Sequence, residues 1–148
     1  VPEITITVYG TPAPQGSKNR GRFGGLYESS PKVKLWRQAI VRAVQEHSLF
    51  IAFTSGVPVE IDVTFWLERP AGHRNAKGEL RMSARRLPAV MPDLDKYVRA
   101  TLDGLAKDAK VIHDDAQVVS ISARKRYVDD PGILPGAVIR VRSVELAP

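Results

Sequence analysis

The chain has 148 residues, no cysteine, 22 Lys and Arg against 16 Asp and Glu, and a formal net charge of +6. That length predicts a single domain over residues 1–148, large enough to bury roughly 70% of the surface its unfolded chain exposes. The missing cysteines exclude disulfide scaffolds and thiolate zinc sites. No apolar run approaches the roughly 18 residues of a membrane span, and Val1-Pro2-Glu3-Ile4 lacks a signal-peptide layout. The expectation is therefore a soluble, cytoplasmic protein with no membrane partner.

In chain order, Ile4, Ile6 and Val8 alternate with Glu3, Thr5 and Thr7 and predict a half-buried strand. A loop rich in Gly, Pro and bases follows from Gly10, carrying Lys18, Arg20 and Arg22. Ser30-Pro31 reads as an N-cap and first-turn proline. Val33, Trp36, Ile40 and Val44 then form the apolar stripe of a helix ending near His47. Val59, Ile61, Val63, Phe65 and Leu67 alternate with polar neighbours as the clearest strand in the chain. Residues at about 70–92 hold no periodicity, are rich in arginine, and predict a long basic loop. Pro92-Asp93 opens a second helix, with Leu94, Val98, Leu102 and Leu105 on its buried face. Strands at about 117–128 and 137–145 follow, and Asp129-Asp130-Pro131-Gly132 between them suits a hairpin turn. The sum is an α+β fold: a two-layer β-α-β-α-β-β domain with two helices on one face of a small mixed sheet.

Charge is unevenly placed. Bases crowd 18–42 and 69–86, whereas the acids Asp93, Asp95, Asp103, Asp108, Asp114 and Asp115 gather together. A basic surface around an acidic island suits a polyanion at the rim and a metal at the centre. Asp93-Leu94-Asp95 at a helix start and Asp114-Asp115 at a strand entry offer the carboxylate oxygens that Mg²⁺ prefers. Mg²⁺ so held would activate a water for attack on a phosphodiester. A helix over 94–106 is about 20 Å long. Seven extended residues span at most about 23–25 Å, so Asp115 is just able to return to the start of that helix.

Each acid also has a plain structural reading. Asp is a favoured N-cap, which suits Asp93, and Asp95 suits the positive helix end. Asp114-Asp115 reads equally as a polar turn. Arg99, four residues after Asp95, is either a phosphate contact or an i,i+4 partner, and Asp103 continues that ladder. Lys96 is a near-equal candidate for the phosphate. What favours a metal site is four acids in two clusters within a basic chain.

These blocks resemble a known family. Asp93-Leu94-Asp95, the base at Arg99 and Leu102-Asp103-Gly104-Leu105 are similar to the D-L-D-N-x-x-K…D-x-L stretch of RusA-type endodeoxyribonucleases. Val111 to Val119 resembles that family's apolar-x-D-D-x-Q-apolar segment. Lys125 sits where the family often has a lysine, and Gly10-x-Pro12-x-Pro14-Gln15-Gly16-Ser17-Lys18 resembles its opening. The resemblance implies a homodimeric, Mg²⁺- or Mn²⁺-dependent resolvase of Holliday junctions that makes paired nicks ending in 5′-phosphate and 3′-hydroxyl. It implies Asp93, Asp95 and Asp115 as catalytic metal ligands with Asp114 adjacent, and Arg99 as the functional base. Lys96 stands where the family has asparagine, and Arg99 where it has lysine. Candidate contacts to the DNA backbone are Lys18, Arg20, Arg22, Arg74, Arg85, Arg86, Lys96, Arg124, Lys125 and Arg126. The competing readings are a related nuclease for D-loops, forks or flaps, a non-catalytic DNA-binding module, and a small-phosphate hydrolase.

Overall fold

A computed structural model describes residues 1–16, 19–20, 26–27, 31–129 and 133–146. Its elements in chain order are β1 (Glu3–Tyr9), β2 (Asn19–Arg20), β3 (Leu26–Tyr27), α1 (Pro31–Glu46), β4 (Val59–Leu67), α2 (Leu94–Asp103), β5 (Val118–Tyr127) and β6 (Gly136–Ser143). The expected α+β, two-layer architecture is what the chain forms. Its main sheet has the order β1-β6-β4-β5, with β4 and β5 parallel and β6 antiparallel to both β1 and β4. The two-residue strands β2 and β3 form a separate ribbon within the basic loop.

This order corrects the hairpin expected between the last two strands. β5 takes the free edge of β4, and β6 crosses to the other side of β4, between it and β1. The core explains the preference. Ile139 is wholly buried with Ile6 opposite it on β1 and Val63 opposite it on β4, so β6 fills the sheet's centre. β5 is half polar, exposed over Val119–Ser122 and only partly covered beyond, with Tyr127 alone buried, which suits an edge. Asp129 is tied by Arg69 rather than closing a hairpin, and Asp130 to Gly132 lie outside the described residues.

Two parallel crossovers, β1-α1-β4 and β4-α2-β5, step the same way along the sheet. Crossovers of one hand then put both helices on the same face. The helices enclose a single core there, with Trp36 and Ile40 of α1 and Tyr97 and Ala100 of α2 over Ile61, Val63 and Phe65. The stripe expected on α1 is buried throughout. On α2 the buried face is turned by about one residue: Tyr97, Ala100 and Thr101 are buried, whereas Leu94, Val98 and Leu102 are only partly so. The reason is Trp36, whose indole N–H donates to Thr101 Oγ1 at 3.2 Å and draws that side of α2 inward. The helix also stops at Asp103 and passes into a π-turn over Gly104–Asp108. Gly104 lies against α1, where a Cβ would meet Ile40 Cδ1 at 2.8 Å. No helix among the described residues is long and apolar enough to cross a membrane.

The 70–92 segment has a built conformation. A 3-10 turn covers Ala71–His73, Arg74 and Leu80 form an isolated bridge, and Asn75 Oδ1 accepts from the N–H groups of Lys77 and Glu79. Arg69 is its anchor. Its side chain is 3% exposed, lies 4.4 Å over the Tyr127 ring, and donates to Asp129 Oδ1 at 2.7 Å and to the Arg85 carbonyl at 2.6 Å.

Candidate active site

Asp93 occupies the N-cap position of α2 with extended backbone, as its sequence position predicts. Its carboxylate nevertheless makes no capping hydrogen bond. Its partner is Lys96, whose Nζ stands 3.9 Å from Oδ2, and both side chains are about half exposed. Asp95 follows in the first turn, also exposed. Among the described residues no ion pair joins it to Arg99, so the i,i+4 bridge is not made. Both side chains face solvent, Asp95 at the positive end of the helix and Arg99 near its middle.

The chain entering Asp93 is held from the sheet. In the parallel register Lys125 pairs with Phe65 and shares its helix-side face. From there Lys125 Nζ donates to the carbonyls of Val90 and Pro92, both at 2.9 Å. Arg124 and Arg126 pair with Thr64 and Trp66 on the opposite face. Arg124 grips Asp62 through both guanidinium nitrogens at 3.0 and 3.1 Å, with Thr64 and Ser122 hydroxyls completing the set. Its hydrogen bond, with its charge, holds the Asp62 carboxyl below the ordinary carboxylate range.

Asp114 and Asp115 sit on a capping box. Asp114 Oδ1 accepts from the Ala116 N–H at 2.9 Å, and Gln117 Oε1 accepts from the Asp114 N–H at 2.9 Å and the His113 N–H at 2.7 Å. Gln117 is buried and its amide donates to the carbonyls of Thr54 at 2.7 Å and Val57 at 2.9 Å. The two aspartates share a hydrogen bond and titrate apart. The Ala116 N–H, then the bond from Asp115, holds Asp114 low. The bond to Asp114, partial burial and the negative charges of Asp114 and Asp103 push Asp115 up.

The charges that Asp115 feels mark its place in the fold. They come from Asp114, Asp103 and Lys107, residues at or beyond the C-terminal end of α2. Chain length permits a return to the start of the helix, but the crossover topology does not use that reach. In a parallel crossover the helix begins beyond the end of β4 and finishes near the start of β5, which puts Asp114-Asp115 at the far end of α2 from Asp93-Asp95. Ten residues separate those ends by about 15 Å. Among the described residues, no group of three or more His, Asp or Glu side chains converges on a point.

Between the two pairs lies a buried link that the sequence did not single out. Gln15 Nε2 donates to Asp103 Oδ2 at 2.7 Å, and both residues are buried, at 5% and 8% exposure. The Gln15 N–H donates to the Lys96 carbonyl at 3.0 Å. Asp103 is thus a buried acceptor as well as the i,i+4 partner of Lys107 at 3.6 Å. The link fixes the start of the basic loop onto α2. Gln117 had a signal in the D-x-x-Q spacing of a capping box; Gln15 stood in the opening motif with no role attached, and Arg69 had no signal beyond its place among the bases.

The chain matches the family model described as endodeoxyribonuclease RusA over residues 9–140. It belongs to the RusA endodeoxyribonuclease family. Membership carries the activity class, a DNA-acting nuclease of the Holliday junction-resolving kind. No curated protein matches the chain. The family match runs from the end of β1 into β6, and so takes in both carboxylate pairs, the Gln15–Asp103 link and the 70–92 loop. Of the candidate DNA contacts, Lys18 and Arg22 lie outside the described residues, and of Arg20 only the backbone in β2 is described. Arg74 donates to the carbonyls of Gly78 and Asp129, and Arg126 to that of Lys125. Arg85 and Arg86 are exposed, with no ion pair among the described residues.

Proposed function

We propose that the chain is a divalent metal-dependent nuclease that acts as a homodimer and makes paired nicks in four-way DNA junctions. The observation that carries the reading is the state of the two carboxylate pairs. Asp93 stands at an N-cap without capping, and Asp115 is held against like charge by Asp114 and Asp103. Asp93 has only the 3.9 Å contact of half-exposed Lys96, and a divalent cation relieves carboxylates that face like charge.

The donor chemistry fits Mg²⁺ or Mn²⁺, since all four candidate ligands are carboxylates. Asp93, Asp95 and Asp115 would hold the ion, with Asp114 beside them. A bound ion of this class supplies Lewis-acid charge and lowers the pKa of water. One chain offers the ligands as two separate pairs, which a two-fold dimer unites by setting Asp93-Asp95 of one copy against Asp114-Asp115 of the other. The same operation creates two equivalent sites, as cutting two strands requires. Arg99 and Lys96, on the exposed side of α2, face a phosphate brought to that helix end. Arg99 there offers a two-pronged donor to phosphoryl oxygens.

The test is cleavage of a labelled mobile junction, with duplex, fork, flap and D-loop controls, in Mg²⁺, in Mn²⁺ and in EDTA. The expected result is symmetric nicking of the junction, lost in EDTA and in Asp95→Asn. Asp95→Asn mixed with Asp115→Asn should regain single nicks, because one hybrid site then keeps both wild-type pairs. Cutting that favours forks, flaps or D-loops would make the enzyme a related nuclease. Binding without cleavage in either metal would leave a DNA-binding module and reduce Asp114 to its cap.

A further inference from the structure

The segment from Arg81 to Met91 combines two features that rarely coexist in a fixed loop. It exposes large apolar side chains: Met82 fully, Met91 at 71%, Leu87 at 53% and Val90 at 43%. Interleaved with them are Arg81, Arg85 and Arg86, all exposed, and no acid occurs between Leu80 and Pro92. Its backbone is nonetheless tied along its length. The Arg81 N–H donates to the His73 carbonyl at 2.8 Å, buried Arg69 holds the Arg85 carbonyl, and Lys125 holds those of Val90 and Pro92. The next residue is Asp93. A tied segment that exposes apolar side chains and carries only arginines as charges is a poor solvent surface and a poor match for another basic chain. It suits a partner with an anionic backbone and apolar faces between its charges, which is what unstacked DNA offers.

We propose that residues 81–91 form a wedge that enters the branch point of junction DNA and holds a base step open next to Asp93, so that this loop confers the preference for branched over linear DNA. The proposal rests on the junction-nuclease reading above and deepens it. The arginines bind phosphates on either side, and Met82, Leu87 and Met91 replace the lost stacking contact. In continuous duplex, such insertion must first unstack a base step, whereas at a branch point stacking is already interrupted and insertion costs least. Selectivity then arises from the cost of deforming the wrong substrate, with no base reading.

The experiment places 2-aminopurine at the branch point of a four-way junction, with a second junction labelled ten base pairs away along one arm. The full chain is added in EDTA, so that no strand is cut. Wild type should raise the fluorescence of the branch-point probe alone. The triple variant Met82→Ser, Leu87→Ser, Met91→Ser should abolish that rise and reduce junction-over-duplex binding by roughly tenfold or more. Met82→Leu, which keeps an apolar tip, should retain both. Sedimentation and thermal melting of the triple variant should match wild type, since these side chains bear on solvent. A triple variant that keeps the rise and the preference overturns the wedge. So does one that changes self-association, which would make the segment a contact between copies. Wild type that cuts junctions in Mg²⁺ without any rise sinks the wedge alone. Wild type that gives the rise but cuts nothing in Mg²⁺ or Mn²⁺ removes the nuclease reading and leaves the wedge.

Discussion

Removing either end of the Gln15–Asp103 link should destabilise the fold, and removing both should cost little more than removing one. Gln15→Leu deletes a 2.7 Å bond to a carboxylate that is nearly out of water and leaves it only Lys107, at 3.6 Å. A hydrogen bond to a charged group contributes about 1.5–3 kcal/mol, and an unpaired buried partner adds its desolvation cost. Asp103→Leu leaves the Gln15 amide with nothing at either end, because Gln15 Oε1 is already buried without a partner among the described residues. Each single variant should therefore lose about 1.5–3 kcal/mol. The double variant, with two apolar groups facing each other, should recover about 1–3 kcal/mol of the summed loss. Urea unfolding of the four proteins measures this, with single-variant midpoints lower by about 1 M for a slope of 1–3 kcal/mol per M. Additivity within about 0.5 kcal/mol would refute the reasoning, and the link would then be an incidental contact. A second readout ties the link to the site. Asp103→Asn removes a negative charge that raises Asp115, so the Asp115 pKa should fall in a carboxyl NMR titration.

Gly136→Ala should cost at least about 3 kcal/mol in the same unfolding assay, because its Cβ would lie 1.9 Å from the Val8 carbonyl oxygen and force β1 off β6. Gly16→Ala, with open space around the new Cβ, should cost far less. Arg69→Met should leave Asp129 and the Arg85 carbonyl without their donor and raise both hydrogen exchange and proteolysis across 71–91. The Asp62 carboxyl lies below its ordinary value of 3.8, so its pairing stabilises the fold above about pH 4 and is lost as pH falls through the lowered pKa. Asp62→Asn should flatten that acid limb by no more than about 1 kcal/mol, since the pair is partly exposed. Asp115 has the opposite sign: its raised pKa favours folding at low pH, a contribution that disappears as pH rises through that value. Asp114→Asn should lower the Asp115 pKa by changing the hydrogen bond between them and removing the like charge.

The layers of this fold were legible because each element carries its own period. β4 alternates cleanly, α1 buries the four residues its stripe named, and the two helices cover one sheet face. The strand order was not legible. Asp129-Asp130-Pro131-Gly132 looks like a hairpin turn locally, yet the competition was settled by which strand supplies Ile139 and Val141 to the centre and which leaves Ser120 and Ser122 at an edge. That comparison concerns partners far away in sequence. The rotated face of α2 has the same origin, since Thr101 is drawn inward by an indole N–H that lies 65 positions earlier.

The site shows where chain arithmetic and topology part. Chain reach allowed Asp115 to return to the start of α2, but reach is only an upper bound. Between Lys107 and His113 the chain is not extended: the π-turn folds Ala109 back onto the Gly104 carbonyl, and Val111 and Ile112 both donate to the Leu105 carbonyl. Ile112 then pairs with Phe53, at the end of the sheet where β5 must begin alongside Val59. A parallel strand fixes its own starting edge, and with it the position of any acid just before it. Motif order therefore named the candidate acids, while the sheet decided which of them stand together within one chain. If two copies complete the site, the spacing of the two pairs along α2 sets the offset between protomers. Lengthening α2 by one turn should then abolish cleavage even where each pair keeps its local hydrogen bonds. A nuclease still active after such an insertion, with Asp114 still capping Ala116, would show that the pairs act separately and that the shared site is wrong.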